Sequence, residues 1–167
     1  MKKCEDYGYL VNNIESEELK LRILESLQYH IKEANKYKVL SRLFSYISII
    51  LPAASTFVSY VIAKEQIENR MIYIIPVITA MITVFSGINA FGRYDEKKTC
   101  YREIAEKIKH VLVSFQVKYI QLELDKEGKY NKAEYNILIS DMIDEIENII
   151  MDGNIKLLKV DENSGKK

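Results

Sequence analysis

The sequence predicts an all-α fold: a two-helix transmembrane hairpin whose long helices extend into a cytoplasmic helical bundle. Three observations predict it. First, Leu43 to Ala63 (LFSYISIILPAASTFVSYVIA) and Met71 to Gly92 (MIYIIPVITAMITVFSGINAFG) contain no charged side chain. At about 1.5 Å rise per residue, roughly twenty helical residues reach about 30 Å, the thickness of a bilayer's hydrocarbon core. In lipid the backbone must satisfy its own polar groups, so each run is expected to be a helix. Second, only KEQIENR (64–70) separates the runs, which makes the pair antiparallel. Third, apolar residues recur at three- and four-residue steps on both sides of the hairpin, and two Pro and six Gly leave long stretches unbroken.

The chain has 167 residues, enough for one domain and too few for a hairpin plus a separate enzyme fold. Lys+Arg and Asp+Glu balance at 24 each, which argues against a nucleic-acid partner bound through bulk charge. Tyr is frequent and Trp absent. Tyr60 and Tyr73 lie near the loop ends of the two runs and Tyr46 and Tyr94 near the opposite ends, the pattern of an interfacial aromatic belt. The start, MKKCEDYGYL, has no apolar segment of a secretory leader, and Cys4 follows none, so no lipoprotein is expected. Cys4 and Cys100 suggest neither a disulfide framework nor a metal site.

Basic residues set the expected orientation. Lys32, Lys36, Lys38 and Arg42 precede the first run, and Arg93, Lys97, Lys98, Arg102 and Lys107 follow the second. The link offers Lys64 and Arg70, diluted by Glu65 and Glu68. The positive-inside rule places both termini in the cytoplasm and the link outside.

In order, residues 1–15 show no firm period and are expected to be loosely ordered. Ser16 with Glu17 and Glu18 marks a helix start, a capping hydroxyl followed by acid at the positive end of the dipole. Leu19, Ile23, Leu27, Ile31 and Ala34 form one apolar face over 16–42, and nothing interrupts the path into the first span, 43–63. The external loop is 64–70 and the second span 71–92. A helix over 93–127, expected to continue that span, carries Tyr101, Ile104, Ile108, Val111 or Leu112, Phe115, Tyr119 and Leu122 on one face, and Gly128 breaks it. A last helix, 131–152, presents Tyr135, Leu138 or Ile139, Met142, Ile146 and Ile149 or Ile150. Asp152-Gly153-Asn154 is expected to end it, and 153–167 to be a disordered tail.

The spans carry lines of small polar residues. Ser41, Ser45, Ser48, Pro52, Ser55 and Ser59 step by four and three along one face. Pro76, Thr79 or Ala80, Thr83, Ser86 or Gly87, and Ala90 form a second line, with Asn89 near its cytoplasmic end. Two readings stay open. Small residues let transmembrane helices approach, and hydroxyls bond across them or to their own backbone. Alternatively, the hydroxyls face water in a pore built from several subunits. Ser48, Ser55, Ser59, Thr79, Thr83 and Asn89 are the leading candidates in either case. The basic flank is Lys38, Arg42, Arg93, Lys97 and Lys98. No Asp, Glu, Lys, Arg or His lies in either span, which disfavours proton-coupled transport and voltage sensing.

Catalytic chemistry is not expected. There is no Gly-rich phosphate loop, nucleophile elbow or zinc spacing. His30 and His110 are expected to be packed or solvated, and Asp141, Asp144, Glu145, Glu103 and Glu106 to lie on solvated helix faces. No cofactor and no metal is implied.

The order of elements, with RLFSYISIILPAASTF, IPVITAMITVFSGINAF and the exit FGRYDEKKTCYREIAEKIKHV, resembles the SLATT family. These are two-transmembrane effector domains associated with SMODS nucleotidyltransferases and SLOG nucleotide sensors in bacteria. The resemblance covers roughly residues 16 to 150 and is architectural. It implies a pore-forming or membrane-perturbing effector in anti-phage conflict, triggered by nucleotide signals or partner proteins. The chain has no sensor domain, so sensing would belong to a separately encoded sensor or nucleotidyltransferase partner.

The sequence thus supports first a homo-oligomeric membrane effector, held silent by its cytoplasmic helices until its spans rearrange. Its rivals are a non-conducting anchor whose helices recruit a partner, and a soluble helical domain with the hairpin as core.

Overall fold

A computed structural model describes residues 5–65, 74–125 and 132–164. Among them the chain is all-α, with no strand. After a short 3₁₀ helix, Glu5–Val11, come α1 (Glu17–Glu65), α2 (Ile74–Gly92), α3 (Tyr94–Asp125) and α4 (Lys132–Ser164). Cys4, the link residues 66–70, the first turn of the second predicted span (71–73), Gly128 and residues 165–167 lie outside the described residues.

Helix α1 begins where its cap predicts. Ser16 Oγ accepts from the Leu19 N–H at 3.3 Å, and the Ser16 carbonyl accepts from the Lys20 N–H at 3.0 Å. The helix then runs without interruption for 49 residues, through Pro52. Proline has no N–H to give to the Ser48 carbonyl and its ring crowds that turn, yet the helix continues through it.

Three of the expected boundaries are corrected. The first concerns the N-terminal residues. Instead of being loose, Leu10, Val11 and Ile14 are among the most buried side chains of the chain. Tyr135 pins the following turn: its hydroxyl accepts from the Glu15 N–H at 2.8 Å and reaches the Asn13 carbonyl at 3.3 Å. These residues show no helical period because they cap a bundle end.

The second correction is a break between α2 and α3. Arg93 takes φ 42°, the left-handed region, which costs a non-glycine residue about 1–2 kcal/mol. The Arg93 carbonyl accepts from the Glu96 and Lys97 N–H groups, both at 3.1 Å, and so starts α3. The Tyr94 ring folds back over Gly92, where any Cβ would overlap it.

The third is the end of the chain. Helix α4 does not stop at Asp152-Gly153-Asn154 but continues to Ser164. Gly153 is buried against α3, and a Cβ there would overlap Ile104. The glycine is a contact residue. Its intrinsic helix penalty of about 1 kcal/mol is offset by the packing it permits.

Helix α3 lies at the centre. Cys100, Ile104, Ala105, Ile108, Val111, Leu112 and Phe115 supply one half of a continuous core; the 3₁₀ helix, α1 (Ile23, Leu27) and α4 (Tyr135, Met142, Ile146) supply the other. This core belongs to the polar bundle alone, and α2 contributes no buried residue.

Candidate functional site

The hairpin of α1 and α2 differs physically from the bundle. Two helices are long and apolar enough to cross a membrane, and no residue of either apolar window is buried. Phe57 is 68% exposed and Val77 and Val84 are 59% exposed. Half-buried positions mark the seam: Phe44, Ser48, Leu51, Ser55 and Val58 on α1, and Ile75, Ile78, Ile82, Phe85 and Asn89 on α2. Phe44 and Phe85 meet at 6.4 Å between ring centroids.

The two lines of small polar residues are placed differently by this seam. On α1, Ser48, Ser55 and Ser59 are half-buried, whereas Ser45 and Pro52 are exposed. On α2, Thr79, Thr83 and Ser86 are exposed, and they lie off the row that meets α1. Gly87 has open space where a Cβ would stand, so it is not a close-approach glycine within this chain. The hydroxyls turn back on their own helices. Ser59 donates to the Ser55 carbonyl at 2.8 Å, Thr56 to Pro52 at 3.0 Å, Thr79 to Ile75 at 2.9 Å and Thr83 to Thr79 at 3.0 Å. A hydroxyl satisfied in this way tolerates an apolar surrounding and keeps its lone pairs outward.

Where the hairpin joins the bundle, an aromatic ladder forms between α1 and α3. Phe44 stacks on Tyr94 at 5.1 Å and 3°, Tyr37 on Tyr101 at 5.6 Å and 9°, and Tyr37 also lies 6.3 Å from Tyr94. Tyr29 and His30 continue it at 6.3 and 6.1 Å from Tyr101. Tyr94 is therefore not an outward belt residue, as its position suggested; the turn at Arg93 points its ring inward. The signal was present in the sequence as seven-residue steps, His30, Tyr37 and Phe44 on one helix and Tyr94 and Tyr101 on the other. Seven-residue spacing is the signature of two helices packed side by side.

Polar contacts fasten the same junction. Buried Ser41, which the sequence places in the polar line, leaves it and donates to Asp95 at 2.8 Å across the α1–α3 seam. Lys98 first and Ser41 second hold the Asp95 carboxyl below the usual range. His30 is buried and its Nδ1 donates to the Ser26 carbonyl at 2.7 Å, while His110 is exposed.

The basic flank divides into two groups. Arg93 and Lys97 are engaged by the far end of α4: Arg93 reaches the Val160 carbonyl at 3.5 Å, and Lys97 pairs with Asp161 at 2.7 Å. Lys38, Arg42 and Lys98 instead line a cavity of about 420 Å³ between α1 and α3, together with Arg102 and Lys109. The α4 contacts were hidden in the sequence, because a segment expected to be a tail makes them. No protein-family model, curated protein or solved structure matches the chain.

Proposed function

We propose that the chain is a homo-oligomeric effector of the bacterial inner membrane. Its hairpin crosses the bilayer with both termini in the cytoplasm, and its spans assemble into a pore during conflict with phage. The observation that carries this reading is the complete absence of buried residues in the apolar windows of two helices. A soluble core helix of that composition is covered by its own protein. These two need lipid or further copies to cover them. The exposed line Thr79, Thr83 and Ser86 supplies the polar face such an assembly would turn to a water path. The resemblance to SLATT effectors supplies the setting and the separately encoded sensor or nucleotidyltransferase.

The test is membrane potential, followed with a voltage-sensitive dye in bacteria induced to make the protein, alone and with its genetic neighbours. The informative variant is Thr79→Val with Thr83→Val and Ser86→Ala. These changes remove hydroxyls without adding bulk and spare Ser48 and Ser55, where larger residues would disturb the hairpin itself. Depolarisation by the native chain, lost in the variant at equal membrane level, is the expected result. Depolarisation that survives the variant would remove the hydroxyl line from the pore.

A second reading is a non-conducting anchor that recruits a partner. It is favoured by the back-bonded hydroxyls and by a bundle core that closes within one chain. An unrelated hairpin grafted onto the bundle would then preserve activity, whereas the pore reading requires its loss.

A further inference from the structure

We propose that the cavity between α1 and α3 binds a phosphate-bearing anion. Five cations converge on about 420 Å³: Lys38 and Arg42 from α1, and Lys98, Arg102 and Lys109 from α3. The lining includes one carboxylate, Glu106, which is already engaged by Lys109 at 3.3 Å. Lys98 is held by Asp95. Among the described residues, Lys38, Arg42 and Arg102 have no ion-pair partner.

This concentration of charge is local. The whole chain is neutral, and elsewhere several of its cations pair with acids, as in Lys20–Glu17, Lys36–Glu33, Lys97–Asp161 and Lys156–Glu103. Like charges gathered around one space repel each other unless an anion occupies it. The floor is small and apolar, with Ala34 and Ala105 leaving the space open, and Tyr7 closes one end with its ring 5.0 Å from Lys109 Nζ. The volume falls in the range of small-ligand sites, roughly 300–1,000 Å³. The two guanidinium forks and the Lys38 ammonium, which have no ion-pair partner among the described residues, suit a tetrahedral oxyanion of more than one charge, since Arg binds phosphate oxygens in pairs and Lys adds point charge.

The position admits two sources of the same chemistry. Arg42 immediately precedes the uncharged run that begins at Leu43, so a lipid headgroup would reach the cavity from the side if the hairpin is in a bilayer. A soluble phosphate compound would enter from the open face. Neither route depends on pore formation.

The full chain, purified in detergent and in nanodiscs, carries the experiment. Bound lipid is counted by native mass spectrometry in phosphatidylcholine discs with and without phosphatidylglycerol. Binding of pyrophosphate to the detergent-solubilised protein is followed by titration calorimetry. The variants are Arg42→Gln with Arg102→Gln, and Asn35→Glu, which places a carboxylate at an exposed lining position. Lys159→Gln, exposed on α4 away from the cavity, is the matched charge control. Selective retention of phosphatidylglycerol identifies a headgroup site, and binding of pyrophosphate identifies a soluble one. In either case both cavity variants should lose roughly tenfold or more in affinity, the order expected for lost charge-assisted contacts, and the control should lose none. Binding of neither probe, or equal loss in the Lys159 control, would overturn the proposal. So would full binding by the folded double variant, with circular dichroism establishing the fold.

Discussion

Gly153 of α4 and Ile104 of α3 meet so closely that the side chain of any other residue at 153 would overlap the Ile104 δ1 methyl. The contact brings the last three turns of α4 onto the start of α3. There Cys100 Sγ lies 3.6 Å from the Gly153 carbonyl and Lys156 binds Glu103 at 2.9 Å.

Gly153→Ala is therefore expected to destabilise the protein, although alanine is the better helix former by about 1 kcal/mol. Overpacking of a close contact costs about 1–3 kcal/mol. Thermal unfolding of Gly153→Ala, Ile104→Ala and the double variant should give non-additive losses, with Gly153→Ala milder once Ile104 is truncated. A raised melting temperature for Gly153→Ala alone would contradict the close approach.

Removing residues 154–167 should not behave as the loss of a tail. The deletion takes away Lys156, Val160 and Asp161, which hold Glu103, Arg93 and Lys97. It also removes the Leu157 side chain and uncovers the core it packs against. A fall in the unfolding midpoint and faster proteolysis within α3 are expected. An unchanged midpoint would mean that the extension is dispensable for the bundle.

Cys100 should be a slow thiol. Burial first, and the Glu103 charge second, push its pKa above the ordinary thiol value, so little thiolate forms near neutral pH. In a Cys4→Ser background, alkylation by iodoacetamide at pH 8 is expected to be at least roughly tenfold slower in the folded protein than in denaturant. Equal rates would place Cys100 outside the core.

Asp95 ties stability to acid. Its pKa is depressed in the folded protein by the Lys98 and Ser41 hydrogen bonds, so the unfolded chain holds the proton more tightly. The resulting stabilisation is present above the unfolded carboxyl value of about 3.9 and is lost as pH falls through the lower folded value. The carboxylate is largely exposed, which keeps the effect at about 1 kcal/mol or less. Asp95→Asn should lower the melting temperature slightly at pH 7, and the difference from the native chain should shrink below about pH 4. A difference that grew in acid would reverse the sign assigned to the contact.

Much of the architecture was legible because it depends on periodicity and on local chemistry. The Ser16 cap, the unbroken path of α1 and the charge-free runs each involve neighbours within a few residues, where side-chain type alone decides. The candidate site was legible only in part. Ser48, Ser55 and Ser59 share a face with Ser45 and Pro52 by helical geometry, yet the seam with α2 half-buries the first three and leaves the other two exposed. Which part of a polar line meets the neighbouring helix depends on how two helices rotate against each other, and one helix's spacing does not contain that angle.

By itself the sequence determined an all-α chain, two helices long and apolar enough to cross a membrane and a polar bundle with amphipathic helices, because hydrophobic period and the absence of charge act residue by residue. Tertiary structure alone decided the left-handed turn at Arg93, the passage of α4 through Gly153 and the gathering of Lys38, Arg42, Lys98, Arg102 and Lys109 around one cavity. In each case a local preference for stopping, continuing or dispersing is overruled by residues distant in the chain. Ile104 accepts the glycine, Val160 accepts Arg93, and α1 brings its cations to those of α3. Contacts at that separation form only when helices pack, and packing is a property of faces, not of positions read singly.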